Sequence, residues 1–287
     1  MNGVIIVNKP QGKTSHDVVG IMRSLLKTRR VGHTGTLDPL ATGVLPICIG
    51  NATKAADMLT DADKIYRAVM LLGIKTDTLD TEGQITSRCD VNVTEADIKK
   101  TASGFVGKID QIPPMYSAIK KDGKKLYELA RAGIEIEREP RSVTIHSLEI
   151  TKIDLPRVEF VVHCSKGTYI RSLCDDLGAC LGCGAVMEKL TREMTGGFSI
   201  DNAYSIDELR EMPDIEKAII PTDELFSHLP AIYLNEKQEK SIVNGVRMTW
   251  RDGIEGQMYR LYAPDGRFLC ISKICDTRLV LVKSFWI

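Results

Sequence analysis

Residues 64–74, Lys64-Ile65-Tyr66-Arg67-Ala68-Val69-Met70-Leu71-Leu72-Gly73-Ile74, are apolar on both alternating faces, the pattern of a strand in the middle of a sheet. Further along the chain, VTIHSLEI (143–150) and RVEFVVHC (157–164) read as two more strands joined by a turn that contains Pro156. Helical spacing appears between them and before them. Ser15 precedes a face of Val18, Val19, Met22, Leu25 and Leu26 and reads as an N-cap. Thr94-x-x-Asp97 opens a short helix, and GTYIRSLCDDLG (167–178) reads as a strand end running into another. In MYRLYAPDGRFLCI (258–271), strand residues flank Ala263-Pro264-Asp265-Gly266, a turn in which proline presets one dihedral and glycine frees another. Strands and helices mix without a regular βαβ alternation, so the class is α+β. Pro221 and Pro230 bracket a predicted hinge between a large domain and a small β-rich one.

The chain has 287 residues, about twice a typical domain. Its 43% hydrophobic and 26% charged content is ordinary for a globular protein and removes the disordered, collagen-like and coiled-coil classes. Lys+Arg and Asp+Glu both total 38, yet the charge is segregated. Residues 1–50 carry six bases against two acids, net +4; residues 201–226 carry eight acids against two bases, net −6. Residues 228–287 return to net +3 with nine bases and six acids. Such a pattern permits a polyanionic partner on the basic parts without demanding one. No apolar run approaches the 18 or so residues that span a bilayer. Val4-Ile5-Ile6-Val7 follows no basic segment, so no secretory signal is expected and the expected location is the cytoplasm. The eight cysteines show no repeating pattern and are expected to be free thiols. Cys180-x-x-Cys183 has zinc-like spacing and Cys270 and Cys275 could pair with it, but no histidine lies near either, so no metal is expected.

The densest chemical signal is GHTGTLDPLATGVLP (32–46), which reads as a tightly shaped loop rather than a helix or strand. Asp38 is its single acid, and Pro39 restricts the direction in which that acid is held. By itself an Asp-Pro turn is most often structural. The loop resembles the signature loop of the TruB family of tRNA pseudouridine synthases, and the likeness extends to further segments in family order over residues 3–200: GVIIVNKPQGKTSHDVV (3–19), YRAVMLLGIKTDTLDTEG (66–83), PPMYSAIKKDGKKLYELARAGIEIEREPR (113–141), SKGTYIRSLCDDLG (165–178) and LTREMTGGF (190–198).

The resemblance implies a pseudouridine-synthase fold: a mixed, mainly antiparallel sheet flanked by helices, with a catalytic domain over 1–225. It implies an RNA-gripping insertion at about 113–142 and, by a looser match, a PUA-like RNA-binding domain over 228–287. The implied reaction detaches a uracil from its ribose, turns it and rejoins it through C5, at position 55 in the T-loop of tRNA, without a cofactor. Guide RNA and protein partners are not expected, and the chain is expected to act as a monomer. Asp38 takes the place of the family's nucleophile, attacking either base or ribose. Arg171 takes the place of the arginine that pairs with it, its planar fork suited to a bidentate carboxylate contact. Tyr66 matches a tyrosine that stacks on the flipped base and is proposed to accept its C5 proton. Leu190 matches an apolar pocket wall, and His33 a histidine that fills the space the base leaves. Lys9 is expected to be a support or a phosphate contact. In the first half of the insertion, Lys120, Lys121, Lys124, Lys125 and Arg131 outnumber Asp122 and Glu128, interleaved with Tyr116 and Tyr127, a composition suited to phosphate contacts with occasional stacking. Of this set, Lys120, Lys124 and Arg131 are the candidate RNA contacts, and the insertion is expected to order on RNA. Two other readings stay open at this point: an RNA-binding or RNA-folding factor with secondary or no catalysis, and a zinc-dependent RNA module resting on the cysteines.

Overall fold

A computed structural model describes residues 1–121 and 123–286. Asp122, counted above in the charge of the insertion, lies outside them. In chain order the elements begin with β1 (Gly3–Lys9), α1 (Ser15–Leu25), β2 (Val31–His33), β3 (Thr42–Ile49), α2 (Ala56–Thr60) and β4 (Lys64–Leu72). A small ribbon of β5 (Ile74–Thr76) and β6 (Ile85–Arg88) leads to α3 (Glu95–Ser103), β7 (Gly107–Gln111), the β8 (Lys120–Lys121) and β9 (Lys124–Lys125) pair and α4 (Leu126–Arg131). Then come β10 (Arg141–Asp154), β11 (Arg157–Cys164), α5 (Ile170–Cys180), β12 (Ala185–Thr195), β13 (Phe198–Ser199), α6 (Ile206–Glu211) and β14 (Ile220–Pro221). The last part holds β15 (Ala231–Tyr233), α7 (Glu236–Val243), β16 (Met248–Thr249), β17 (Met258–Tyr262), β18 (Phe268–Cys275) and β19 (Arg278–Ser284).

The large sheet runs β14-β1-β3-β12-β4-β11-β10-β7, with β2 added on β3 and β13 on β12. All its named pairings are antiparallel except β12 with β3, so it is the mixed, mainly antiparallel sheet of the α+β class. β4 is central, between β12 and β11, but its two faces differ: Lys64, Tyr66, Ala68, Met70 and Leu72 are buried while the residues between them are half-buried. The strand stops at Leu72 because Gly73 turns the chain at φ +87°. One apolar core packs α5, Ile98 of α3 and the buried face of β4 and β11 together; a second packs α1 and α6 on β1 and β3. The acidic 201–226 stretch therefore contributes Ile206, Leu209 and Ala218 to a core and leaves its carboxylates outside.

The structure revises three local expectations. Thr14, not Ser15, caps α1: its extended backbone lets its hydroxyl accept from Asp17 N–H while Asp17 accepts from Thr14 N–H. Ser15 is the first buried residue of the helix, and its hydroxyl has a different task, described below. Residues 32–46 are loop only over 34–41, since β2 and β3 claim the ends; pairing to β1 and to each other overrides the turn-rich composition. The segment between Pro221 and Pro230 is packed rather than a free hinge. Phe226 and Leu229 are buried with Ala55, Ile271 and Phe285, and Asn51 Nδ2 donates to the Phe285 carbonyl at 2.7 Å. The second sheet, β15-β17-β18-β19-β16, has its own core around Leu261 and Ile274.

Candidate active site

The 34–41 loop is held from several directions. Ser15 Oγ donates to the Leu37 carbonyl at 3.1 Å and accepts from Leu37 N–H at 2.9 Å. Gly12 N–H donates to the Pro39 carbonyl at 2.9 Å, and Arg192 Nη2 to the Gly35 carbonyl at 2.9 Å. Arg192 is a fully buried arginine whose Nε also donates to the Val44 carbonyl at 2.7 Å. It reaches both because β12 meets β3 in parallel at Gly43–Arg192, where a Cβ on Gly43 would collide with the Arg192 backbone. Asp38 thus sits between anchored residues on either side, which fixes the direction of its carboxylate.

Arg171 comes from the first turn of α5. Gln111, buried at the end of β7, donates to the Tyr169 carbonyl and accepts from Tyr169 N–H, at 3.0 and 2.8 Å, and so sets where that helix starts. The Arg171 side chain is 5% exposed. Its Nη2 meets Asp38 Oδ2 at 3.0 Å and donates to the Tyr116 carbonyl at 2.7 Å; its Nη1 donates to the Thr78 carbonyl at 3.1 Å and lies 3.8 Å from Asp80 Oδ2. The expected bidentate contact with one carboxylate is corrected to a fork shared between two, because the Thr78 and Tyr116 carbonyls occupy the remaining donor directions. The surface ion pair that the residue type alone would suggest is replaced by one whose arginine is buried. Asp38 keeps 40% of its side chain exposed toward the cavity, whereas Asp80 is 8% exposed.

Asp38, Tyr66, Arg171, Leu190 and Arg131 all line one cavity of about 940 Å³. Burial pushes the Tyr66 phenol up, with the nearby Arg192 cation pulling the other way, so the hydroxyl is held protonated at neutral pH. Leu190 closes an apolar side of the cavity. Arg131 and Lys125 flank the ring of Tyr127, 5.5 and 5.3 Å from its centre, so the insertion presents an aromatic surface edged with positive charge. Tyr169, Asp80 and Arg192 also line it and were not singled out from sequence. Asp80 lay inside a quoted segment, and Arg192 inside another, but neither carries a local signal that separates it from a surface charge.

The other sequence candidates lie outside this lining. Lys9 is fully buried and donates to the carbonyls of Lys13 (2.6 Å), Pro10 (2.9 Å) and Pro39 (3.4 Å), so it supports the loop and has no room for a phosphate. Burial lowers its ammonium to about 8, against the pull of Asp38. His33 is half-buried on β2; its Nδ1 has no partner among the described residues, and burial lowers its pKa, which keeps the ring neutral. Lys120 and Lys124 are exposed on the β8–β9 pair. Cys180 ends α5 and Cys183 follows it, while Cys270 and Cys275 lie in the second sheet, and among the described residues these four form no cluster of metal-ligand spacing. Among the described residues no helix is long and apolar enough to cross a membrane.

Residues 23–170 match the model of the TruB family pseudouridylate synthase N-terminal domain, and residues 171–227 that of the tRNA pseudouridylate synthase B C-terminal domain. The junction of the two falls in the first turn of α5, and β12 of the second segment pairs with β3 and β4 of the first, so the two matched segments fold as one body. The chain is similar to the tRNA pseudouridine synthase B of Clostridium kluyveri, 45% identical over 99% of this chain and 100% of that one, and to that of Clostridium tetani, 49% identical over 86% of each. A chain in the crystal structure of a Cbf5-Nop10-Gar1 complex superposes with a TM-score of 0.72 at 26% identity, over 99% of this chain and 85% of that one. With the family's model spanning half of the sequence and a 45% identical relative aligned from end to end, this chain belongs to the TruB family of pseudouridine synthases.

Proposed function

We propose that this chain isomerises uridine to pseudouridine in tRNA, at the T-loop uridine of position 55, acting as a single chain in the cytoplasm without guide RNA or protein partner. The observation that carries the reading is the Asp38–Arg171 contact of 3.0 Å on the wall of a cavity large enough for an extruded nucleotide. The relatives that align along their full length are named for this activity on tRNA.

Asp38 is the nucleophile. A carboxylate in this role must be ionised and aimed, and the Arg171 guanidinium supplies both needs while leaving one side of Asp38 open to substrate. Attack joins the Asp38 carboxylate to the ribose or the base; the N1–C1′ bond breaks, the C5–C1′ bond forms and the bond to Asp38 breaks again, while the C5 proton leaves and N1 ends protonated, so no oxidant or reductant enters. Tyr66 supplies a flat face for the extruded uracil. Because its phenol is held protonated, Tyr66 accepts the C5 proton only as its own proton departs. The burial of Arg171 keeps water from the cation's side of the ion pair, and Leu190 adds an apolar wall to the cavity, both of which strengthen the contact. His33, neutral, is suited to fill the position the base vacates. Lys120, Lys124, Arg131 and the second sheet over 228–287 are the surfaces assigned to RNA.

The test is an unmodified tRNA transcript carrying tritium at uridine C5. Release from a single T-loop uridine by the wild type, reduced by about 10⁴-fold or more in Asp38→Asn with RNA binding retained, is the expected result. Binding without release by the wild type would leave an RNA-binding factor instead.

A further inference from the structure

A second constellation of reactive side chains lies on the opposite face of the large sheet. His163 is on β11 opposite Ile65, on the face that Val162 and Tyr66 turn away from. His146 is on β10, where the pairing slips between Ile145 and Ser147 and leaves His146 and Ser147 both exposed. A bulge of this kind re-aims a side chain that strict alternation would place elsewhere. Asp63 immediately precedes β4. The two imidazole rings are 4.6 Å apart and tilted by 45°, and both aim Nε2 at the same Asp63 oxygen, at 3.1 Å from His146 and 3.9 Å from His163. The three ligand atoms lie within 4.8 Å of one another.

We propose that Asp63, His146 and His163 form a binding site for a single divalent transition-metal ion of the zinc, cobalt or nickel class. A tetrahedral ion bound at about 2.0–2.2 Å from nitrogen and oxygen sets its ligand atoms about 3.3 Å apart. The observed separations need adjustments of roughly an ångström, within the reach of side-chain rotation on an exposed surface. A carboxylate with two imidazoles is the donor set that such ions share, whereas magnesium and calcium prefer oxygen alone. The ligands come from two paired strands and the residue that enters a third, so the sheet holds most of the geometry before any ion arrives. Arg67, the arginine of β4 on this face, is already engaged by Glu159 and Glu193. With three protein ligands, water completes the coordination.

The ion would tie β10 and β11 to the segment that enters β4. Asp61, in that segment, is ion-paired at 2.8 Å with Lys166, which lines the catalytic cavity. The proposal is independent of the catalytic reading, since the site lies across the sheet from Asp38.

Titration of the full chain with cobalt(II), followed by absorption, tests it. The expected result is one ion per chain with visible ligand-field bands and no thiolate charge-transfer band, bound at least tenfold more weakly by His146→Ala and by Asp63→Asn. Zinc(II) should displace the cobalt. Because Asp63 and His146 are exposed, both variants should keep the wild-type circular dichroism and thermal midpoint without metal. A thiolate charge-transfer band that both variants retain would assign the metal to cysteines and overturn the proposal. So would the absence of binding to the wild type at millimolar cobalt, or binding that neither variant weakens.

Discussion

On β4, Tyr66 and Arg67 are neighbours in sequence and face opposite sides of the sheet, and an arginine ion pair stands on each side. On the cavity side Arg171, 5% exposed, meets Asp38 at 3.0 Å and Asp80 at 3.8 Å. On the other side Arg67, 43% exposed, meets Glu193 at 2.7 Å and Glu159 at 2.9 Å. By distance the outer network is the tighter of the two. By energy the order reverses. At about 4 Å a pair of unit charges is worth about 1 kcal/mol in water and about 4 kcal/mol at the effective dielectric of a protein site. The outer charges also remain hydrated when separated, whereas Asp80, buried, would keep only the Thr78 hydroxyl and the Glu82 N–H as donors if it lost its arginine. The difference teaches that position in the sheet, rather than contact length, separates a reactive ion pair from a solvated one.

The comparison breaks most sharply at Arg171. Arg171→Met leaves Asp80 buried without a cation and frees the Thr78 and Tyr116 carbonyls, so a loss of about 3 kcal/mol in urea unfolding is expected, with pseudouridine formation abolished. Arg171→Lys keeps the charge but cannot divide a planar fork between two carboxylates; the expected outcome is a folded protein about 10²-fold slower in tritium release. Activity of Arg171→Lys near that of the wild type would show that charge alone suffices at this position.

Lys9 sharpens the same contrast through pH. Its ammonium is lowered from the ordinary 10.5 to about 8 by burial, so between those values the unfolded chain binds the proton and the folded chain does not. Wild-type stability should therefore rise from pH 8 to 10.5 relative to Lys9→Met measured in the same buffers. A flat difference across that window would mean that its carbonyl partners hold the proton in place. The smallest effect belongs to the outer face: Arg67→Ala is expected to shift stability by about 1 kcal/mol or less, fading with added salt, and to leave tritium release unchanged. A large catalytic loss there would join the two faces into one network and remove the contrast.

The site was legible through the ordered segments that carry the family resemblance, because an aspartate before a proline in a glycine-rich turn reads, by itself, as structural. Local elements were legible directly, because a turn or a cap depends on neighbouring residues alone. The Thr94–Asp97 capping box and the 258–271 hairpin were readable for the same reason, and both stand in the structure as read. Ser15 shows where that kind of reading fails. Two adjacent hydroxyl residues could each cap α1, and the choice fell to Thr14 because Ser15 was claimed by Leu37, a residue 22 positions away.

By itself the sequence determined the α+β class, the central strand at β4, the family and the residue set Asp38, Tyr66 and Arg171 as candidates for its chemistry. Tertiary structure alone decided that Arg171 is shared between Asp38 and Asp80, that Arg192 is buried beneath the nucleophile loop, and that Lys9 is spent on backbone carbonyls. It alone brought Asp63, His146 and His163 to one point. Those outcomes follow from which strands pair and in what register. Side-chain direction alternates with every residue along a strand, so a single bulge at His146, or the parallel meeting of β12 with β3, decides which charges face each other.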